Sequence, residues 1–316
     1  MTSGTPRTVQ ERLHLSVLTL KPRTLSYVMV HIQYPPCSKL GRVLSSINKL
    51  RPSNKHIVIG CTVLPGYCQT VGSFLLEDCV NTTLSYNPEF IQQGDIIRGF
   101  LNPDMVLIGE GSEDAGDLLQ GMYEAVCENS PVICRMSSAS AEVCKLSINC
   151  FITTKISFAN MIGDIADRTP GANKDDILRA VGSDSRVGLK CLKPGYGFGG
   201  PCFPRDNRAL GGYASSIGVK PLVSIATDEY NEYHAHVMAD AMESAKESPE
   251  ATFTFTDVAY KPNCAVAIIE ESQKLKVAGI LAKRGHQVVI KDREFIIELV
   301  RAEFGRLFGY EIGKQA

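Results

Sequence analysis

Apolar residues fall into short continuous runs separated by longer amphipathic stretches. Tyr27-Val28-Met29-Val30-His31-Ile32 reads as a buried strand ended by Pro35-Pro36, and Leu40 to Leu50 repeats apolar positions at helical spacing. His56 to Val63 predicts a strand running into a turn at Pro65-Gly66. Met105-Val106-Leu107-Ile108-Gly109 predicts another, Asp114 to Asn129 a helix, and Pro131 to Met136 a further strand. Leu13 to Leu20 alternates apolar and polar residues, which predicts a short strand after a loose terminus at Met1 to Gln10. Strands alternating with helices imply an α/β fold with a parallel sheet.

From Ala139 the period changes. Ala139 to Arg168 holds neither Gly nor Pro until Gly163, which predicts one long helix, a spine between domains, with Ser137 and Ser138 as candidate caps. Helices over Asp175–Val181, Asn207–Ile217 and Leu222–Lys246 make the centre helical. Glu247-Ser248-Pro249-Glu250 reads as a boundary. Beyond it come a strand at Thr252–Phe255, a helix at Glu270–Arg284 closed by Gly285, a strand at His286–Asp292 and a last helix through about Phe308. The expected domains are therefore 1–138 (parallel sheet), 139–247 (central, helical) and 248–316 (a short second α/β unit).

Composition narrows the class. The 316 residues suffice for two or three domains. A net charge of -1 with 21% charged residues argues against nucleic-acid and membrane partners. No apolar run reaches membrane-spanning length, and the N-terminus lacks a signal-peptide pattern. Eleven cysteines without paired spacing suggest thiols in a reducing compartment, so a cytoplasmic location is expected. Absence of Cys-x-x-Cys and His-x-x-x-His pairs argues against a metal site.

The densest chemical signal is Lys190 to Asp206, where glycines and prolines surround Cys202. Glycine opens conformations closed to other residues and proline fixes the flanks, so the stretch predicts a shaped loop presenting a thiol just before a helix. Gly195, Gly197 and Gly200 match Gly-x-Gly-x-x-Gly. Lys193-Pro194 stands where a dinucleotide fingerprint needs a strand, so they are not read as one.

Gly197-Phe198-Gly199-Gly200-Pro201-Cys202-Phe203-Pro204-Arg205-Asp206 closely resembles the active-site signature of the UDP-glucose/GDP-mannose dehydrogenase family, with Arg205 in place of a lysine. The resemblance covers roughly Ser26 to Asp292 and implies a Rossmann-like first domain. It implies Cys202 as the nucleophile, with Lys145 and Asn149, four apart on the long helix, positioning oxyanion and water. Glu89 in Asn87-Pro88-Glu89-Phe90 becomes an acid/base, and Thr62 and Asp206 flank the hydrolytic water. Phe90, Lys193, Tyr196, Phe198, Gly199 and Lys261 fall to the nucleotide sugar, and Thr62, Gln93 and Arg205 to NAD. Arg186 matches an arginine reaching a partner subunit, which implies a homodimer on the long helix. The implied reaction is double oxidation of a C6 hydroxyl through a thiohemiacetal and a thioester. Pro201, where an N-acetylhexosamine subclass has histidine, points to UDP-glucose or GDP-mannose.

Departures from the family set a second expectation. The sequence shows no Gly-x-Gly-x-x-Gly turn after a first strand and no acid closing a second, so half of the NAD domain is expected to be missing. Gln33-Tyr34-Pro35-Pro36 replaces a Thr-Pro turn, Gln93 a glutamate, and Cys264 to Ser272 a segment carrying a substrate arginine. The chain also ends about one β-α-β unit into the sugar-nucleotide domain. The alternative to an active dehydrogenase is thus a pseudoenzyme or truncated paralogue serving as a dimerisation partner, and an incomplete gene would give the same picture.

Overall fold

A computed structural model describes residues 27–30, 37–90, 95–248, 250–261, 264 and 266–313. The chain divides into two compact units, Met1–Lys145 and Leu146–Ala316. The expected strand at Leu13–Leu20, the loose terminus and the Gln33 to Pro36 turn lie outside the described residues.

In the first unit β1 (Tyr27–Val30), β2 (Lys55–Ile59), β3 (Thr82–Tyr86), β4 (Met105–Glu110) and β5 (Val132–Ser137) form one sheet in that order. Neighbours run parallel, as the alternating pattern predicts, except β3 and β4, which meet antiparallel at Tyr86 and Gly109. Residues successive along a strand point to opposite faces. Ile57, Ile59 and Leu107 accordingly pack with Leu40 and Leu44 of α1 (Cys37–Lys49). Val58, Val106 and Ile108 pack with Leu119 of α3 (Glu113–Val126). Covering both faces explains why these strands read as unbroken apolar runs. Strand β3, Thr-Thr-Leu-Ser-Tyr, gives no such run and was not expected. Its polar groups are paired instead: His56 Nδ1 lies 2.6 Å from Thr83 Oγ1, and Gly111 N–H donates to Ser85 Oγ. A short α2 (Ile96–Leu101) and a π-helical turn at Cys68–Gly72 were likewise unexpected.

Helix α4 (Ser138–Asp167) is the predicted long helix, and the division between units falls within it. Ser137 Oγ accepts the Ser140 N–H at 3.3 Å and caps it. The second unit continues with α5 (Lys174–Ser183), α6 (Phe203–Ser216), α7 (Leu222–Ser244), β6 (Phe253–Thr256), α8 (Gln273–Lys283), β7 (Val288–Asp292), α9 (Glu294–Phe304) and β8 (Gly309–Ile312). The strands form a parallel sheet β6-β7-β8. Phe253, Phe255, Val288 and Ile290 pack with Leu281 of α8 and Val300 of α9.

Three of the boundaries that differ from expectation have a clear local cause. Helix α6 starts at Phe203 rather than Asn207, because Pro204 is tolerated in a first turn, where its missing N–H costs no bond. Helix α8 starts at Gln273 rather than Glu270, because Glu271 sits at φ 52 and Ser272 is the cap. Helix α9 stops at Phe304 rather than Phe308, because Gly305 at φ 60 turns the chain into β8. No helix among the described residues is long and apolar enough to cross a membrane.

Candidate active site

In the second unit the loop from Gly195 to Pro201 delivers Cys202 to the N-terminus of α6. The Cys202 thiol is exposed, and its carbonyl accepts the Asp206 N–H at 2.8 Å, closing the first helical turn. The loop is anchored along its length. Gly195 N–H donates to Asn160 Oδ1 at 2.9 Å. Phe198 gives its N–H to Asn231 Oδ1 at 2.9 Å and takes Asn231 Nδ2–H on its carbonyl at 3.0 Å. Gly200 N–H donates to Glu270 O at 3.1 Å. Gly200 sits at φ 80, and a Cβ there would run into the Tyr260 ring, so only glycine meets both constraints. The Phe198 side chain is buried, which adds roughly 1.5–3 kcal/mol of apolar anchoring.

Asp206 is fully buried in the first turn of α6. Its Oδ2 accepts from Asn149 Nδ2 at 2.6 Å, and its Oδ1 from Arg205 Nε at 2.7 Å. The structure thus brings together Cys202, Arg205, Asp206 and Asn149. Cys150 is buried beside this turn: its Sγ donates to Asp206 O at 3.5 Å, and burial, then the Asp206 charge, pushes its pKa up to about 12.

In the first unit Lys145 is buried on α4, where its Nζ donates to the Glu89 carbonyl and lies 4.0 Å over the Phe90 ring. The Asn87-Pro88-Glu89-Phe90 loop follows β3. Asn87 fixes it by donating N–H to Ile59 O and Nδ2–H to Leu107 O, and by accepting from Tyr123 OH at 2.8 Å. Thr62 is half-buried in the turn after β2. That turn is held by a residue the sequence did not single out. Glu142, fully buried one helical turn before Lys145, accepts Gly66 N–H at 2.5 Å and Cys68 N–H at 2.8 Å. Its i, i+3 spacing from Lys145 was the available signal.

Other expected residues lie further out. Arg186 is 87% exposed and paired with Asp184, Nη2 to Oδ2, at 2.7 Å. Lys193 and Tyr196 are exposed on the loop, with Lys274 Nζ 5.8 Å from the Tyr196 ring. Gly199 is part-buried, close to the Glu271 carbonyl. Lys261 Nζ lies 5.7 Å from the ring of Tyr260, whose hydroxyl pKa burial, then Cys264 and Cys202, pushes up to about 12. Gln93 lies outside the described residues. No group of His, Cys, Asp and Glu suited to a metal occurs among the described residues.

A mostly parallel sheet with helices on both faces, a long helix and a second, parallel sheet define a Rossmann-like α/β protein. Two models of one family match the sequence: the NAD binding domain of the UDP-glucose/GDP-mannose dehydrogenase family over residues 35–127, and its central domain over residues 139–233. The chain belongs to that family. It is similar to the GDP-mannose 6-dehydrogenase of Pseudomonas savastanoi pv. phaseolicola, 36% identical over 197 residues, 60% of this chain and 43% of the relative. It is also similar to the UDP-glucose 6-dehydrogenase of Rickettsia bellii, 30% identical over 184 residues, 58% of this chain and 42% of the relative. Among solved structures, a UDP-glucose dehydrogenase from Pyrobaculum islandicum matches with a TM-score of 0.81 at 28% identity, over 90% of this chain and 67% of that one. The chain spans about half the length of the curated relatives it matches.

Proposed function

We propose that this chain is an NAD-dependent nucleotide-sugar 6-dehydrogenase, acting on UDP-glucose or GDP-mannose through Cys202. The observation that carries this reading is the exposed Cys202 thiol at the α6 N-terminus, with buried Asp206 in the same turn bonded to Asn149. The turn after β2 would meet the nicotinamide end of NAD: Thr62 follows the carboxyl end of a parallel strand, in a turn whose Gly66 and Cys68 N–H groups are clamped by Glu142. Thr62, Gln93 and Arg205 would hold the cofactor, and two NAD molecules bound in succession would supply the hydride acceptors for the two oxidations.

In this reading Glu89 takes the proton of the C6 hydroxyl as the alcohol becomes an aldehyde. The Cys202 thiolate adds to the aldehyde carbon, and Lys145 and Asn149 stabilise the oxyanion of the thiohemiacetal. Its oxidation gives a thioester on Cys202. A water held by Thr62 and Asp206 and activated through Glu89 or Asp206 then releases the carboxylate and restores the thiol. Phe90, Phe198, Gly199, Lys193, Tyr196 and Lys261 would line the nucleotide sugar. Residues 1–138, 139–247 and 248–316 would serve as cofactor, thiol and sugar-nucleotide parts. A homodimer through α4, with Arg186 reaching the partner, fits an apolar stripe: Phe151, Phe158 and Ile165 are 67%, 42% and 54% exposed at seven-residue intervals.

Calorimetric titration with NAD, then separately with UDP-glucose and GDP-mannose, is the first test. Binding at micromolar to low-millimolar levels, with NADH formed by the wild type and lost in Cys202→Ser, is expected. No NAD binding at millimolar levels would select the pseudoenzyme alternative over the dehydrogenase.

A further inference from the structure

Gly195 opens the Cys202 loop, and both of its peptide groups are caught. Its N–H donates to Asn160 Oδ1 of α4, and its carbonyl lies 2.7 Å from Nε2 of His234 on α7. The other ring nitrogen, Nδ1, lies 2.9 Å from Asp164 Oδ2. A backbone carbonyl and an ionised carboxylate can only accept hydrogen bonds. Both ring nitrogens of His234 therefore donate, and the ring is a buried imidazolium. The same Asp164 oxygen accepts from Tyr230 OH at 2.5 Å, and the Tyr230 ring stacks on His234 with centroids 6.2 Å apart.

Charged and titratable groups from each neighbouring element act on this pair. Burial opposes the imidazolium, but the bonds to Asp164 and Gly195 and the Asp164 charge outweigh it, and Lys174 of α5 opposes it weakly, so His234 titrates above an ordinary histidine. Burial opposes the Asp164 carboxylate too, yet the bonds from His234 and Tyr230 and the charges of His234 and Arg168 hold it below the usual carboxylate range. Tyr233 of α7 and Arg168 also act on Tyr230.

We propose that His234 is a positioning residue: as an imidazolium it latches the glycine loop to α4 and α7 and sets how Cys202 is presented, and loss of its proton opens the latch. A neutral imidazole has a single N–H, so it must release either Asp164 or Gly195. Asn231, three residues earlier on the same helix, keeps Phe198 bound through both peptide groups. The remaining proton stays on Nδ1, facing the carboxylate, because a charged acceptor makes the stronger bond, so deprotonation releases the Gly195 carbonyl and frees the start of the loop without unfolding the rest. The inference rests on the proposed function only in taking Cys202 as the working thiol.

The test uses the full chain. NMR follows the titration of the His234 ring. Amide exchange over residues 193–201, corrected for intrinsic base catalysis, and iodoacetamide labelling of Cys202 relative to the exposed Cys191 are measured over the same pH range. The expected result is His234 titrating above about 6.5. Loop exchange should rise about tenfold or more through that same pH, with a coincident step in the labelling ratio. In His234→Gln the step is absent and the loop exchanges fast throughout. Tyr230→Phe removes one donor from Asp164, makes the carboxylate a better partner for the imidazolium, and moves the step to higher pH. A His234 titration at or below the ordinary value, or a step that persists in His234→Gln, overturns the proposal. If His234→Gln does not fold, the direction of the Tyr230→Phe shift decides. A chain that shows the step without oxidising nucleotide sugars refutes the proposed function and leaves the latch standing. An active chain without the step refutes the latch alone.

Discussion

A carboxylate removed from water must find its hydrogen-bond donors in the protein, and Glu142 finds them in two main-chain N–H groups of the turn after β2. Glu142→Gln keeps the shape, but the charge-assisted bonds are lost and an amide NH2 faces one donor. The expected cost is about 1.5–3 kcal/mol, read as a lower denaturation midpoint at unchanged slope. Turnover should fall alongside, because Thr62 lies in the clamped turn; a variant with full stability and activity would exclude the clamp. Only the i, i+3 spacing from Lys145 marked Glu142 in the sequence, and an acidic residue in a helix ordinarily faces solvent. Cys202 was legible for the opposite reason: the glycines and prolines around it are costly in regular structure, and the loop they shape is the one observed. Asn160, Asn231 and His234 went unremarked because polar residues inside helices carry no local signature, and their partners lie over thirty positions away.

At the scale of elements, the Cys202 loop depends on the close approach of the segment before α8. Gly200 needs a positive φ and leaves no room for a Cβ beneath the Tyr260 ring. Gly200→Ala should therefore cost more than about 1 kcal/mol. Pairing it with Tyr260→Ala should recover the steric part and leave the conformational part, so a double-mutant cycle should give a coupling of about 0.5–3 kcal/mol. Additive effects would mean that Tyr260 is not the obstacle. Most elements were legible from apolar period, because a sheet covered on both faces writes long apolar runs and α4 is uninterrupted by Pro or Gly until Gly163. Those that were not had specific causes. Strand β3 pairs its polar side chains instead of burying apolar ones. Helix α6 hides its start behind Pro204, and α8 is delayed by left-handed Glu271.

At the scale of the whole molecule, each unit has its own apolar core, so titrations within one report on that unit's stability. His234 has a raised pKa in the fold, so its contribution is complete below about 6.5 and is lost as pH rises through the raised value. Asp164 has a lowered pKa, so its contribution is present above the ordinary value of 3.8 and is lost as pH falls through the lowered one. Stability of the second unit should fall on both sides of that window. Asp164→Asn should remove the high-pH decline, because burial then dominates and favours neutral His234. An unchanged decline in the variant would assign it to other groups. The remaining apolar surface concerns assembly. Phe151, Phe158 and Ile165 recur at the interval that keeps one face of α4 turned to a partner helix. They are exposed in the single chain, so Phe151→Asp with Phe158→Asp should cost the folded chain little while placing unpaired charge in a helix–helix contact. Light scattering at micromolar concentration should give the mass of two chains for the wild type and of one for the double variant, with the far-ultraviolet spectrum unchanged. A wild type that already scatters as one chain would mean that this face meets no second copy.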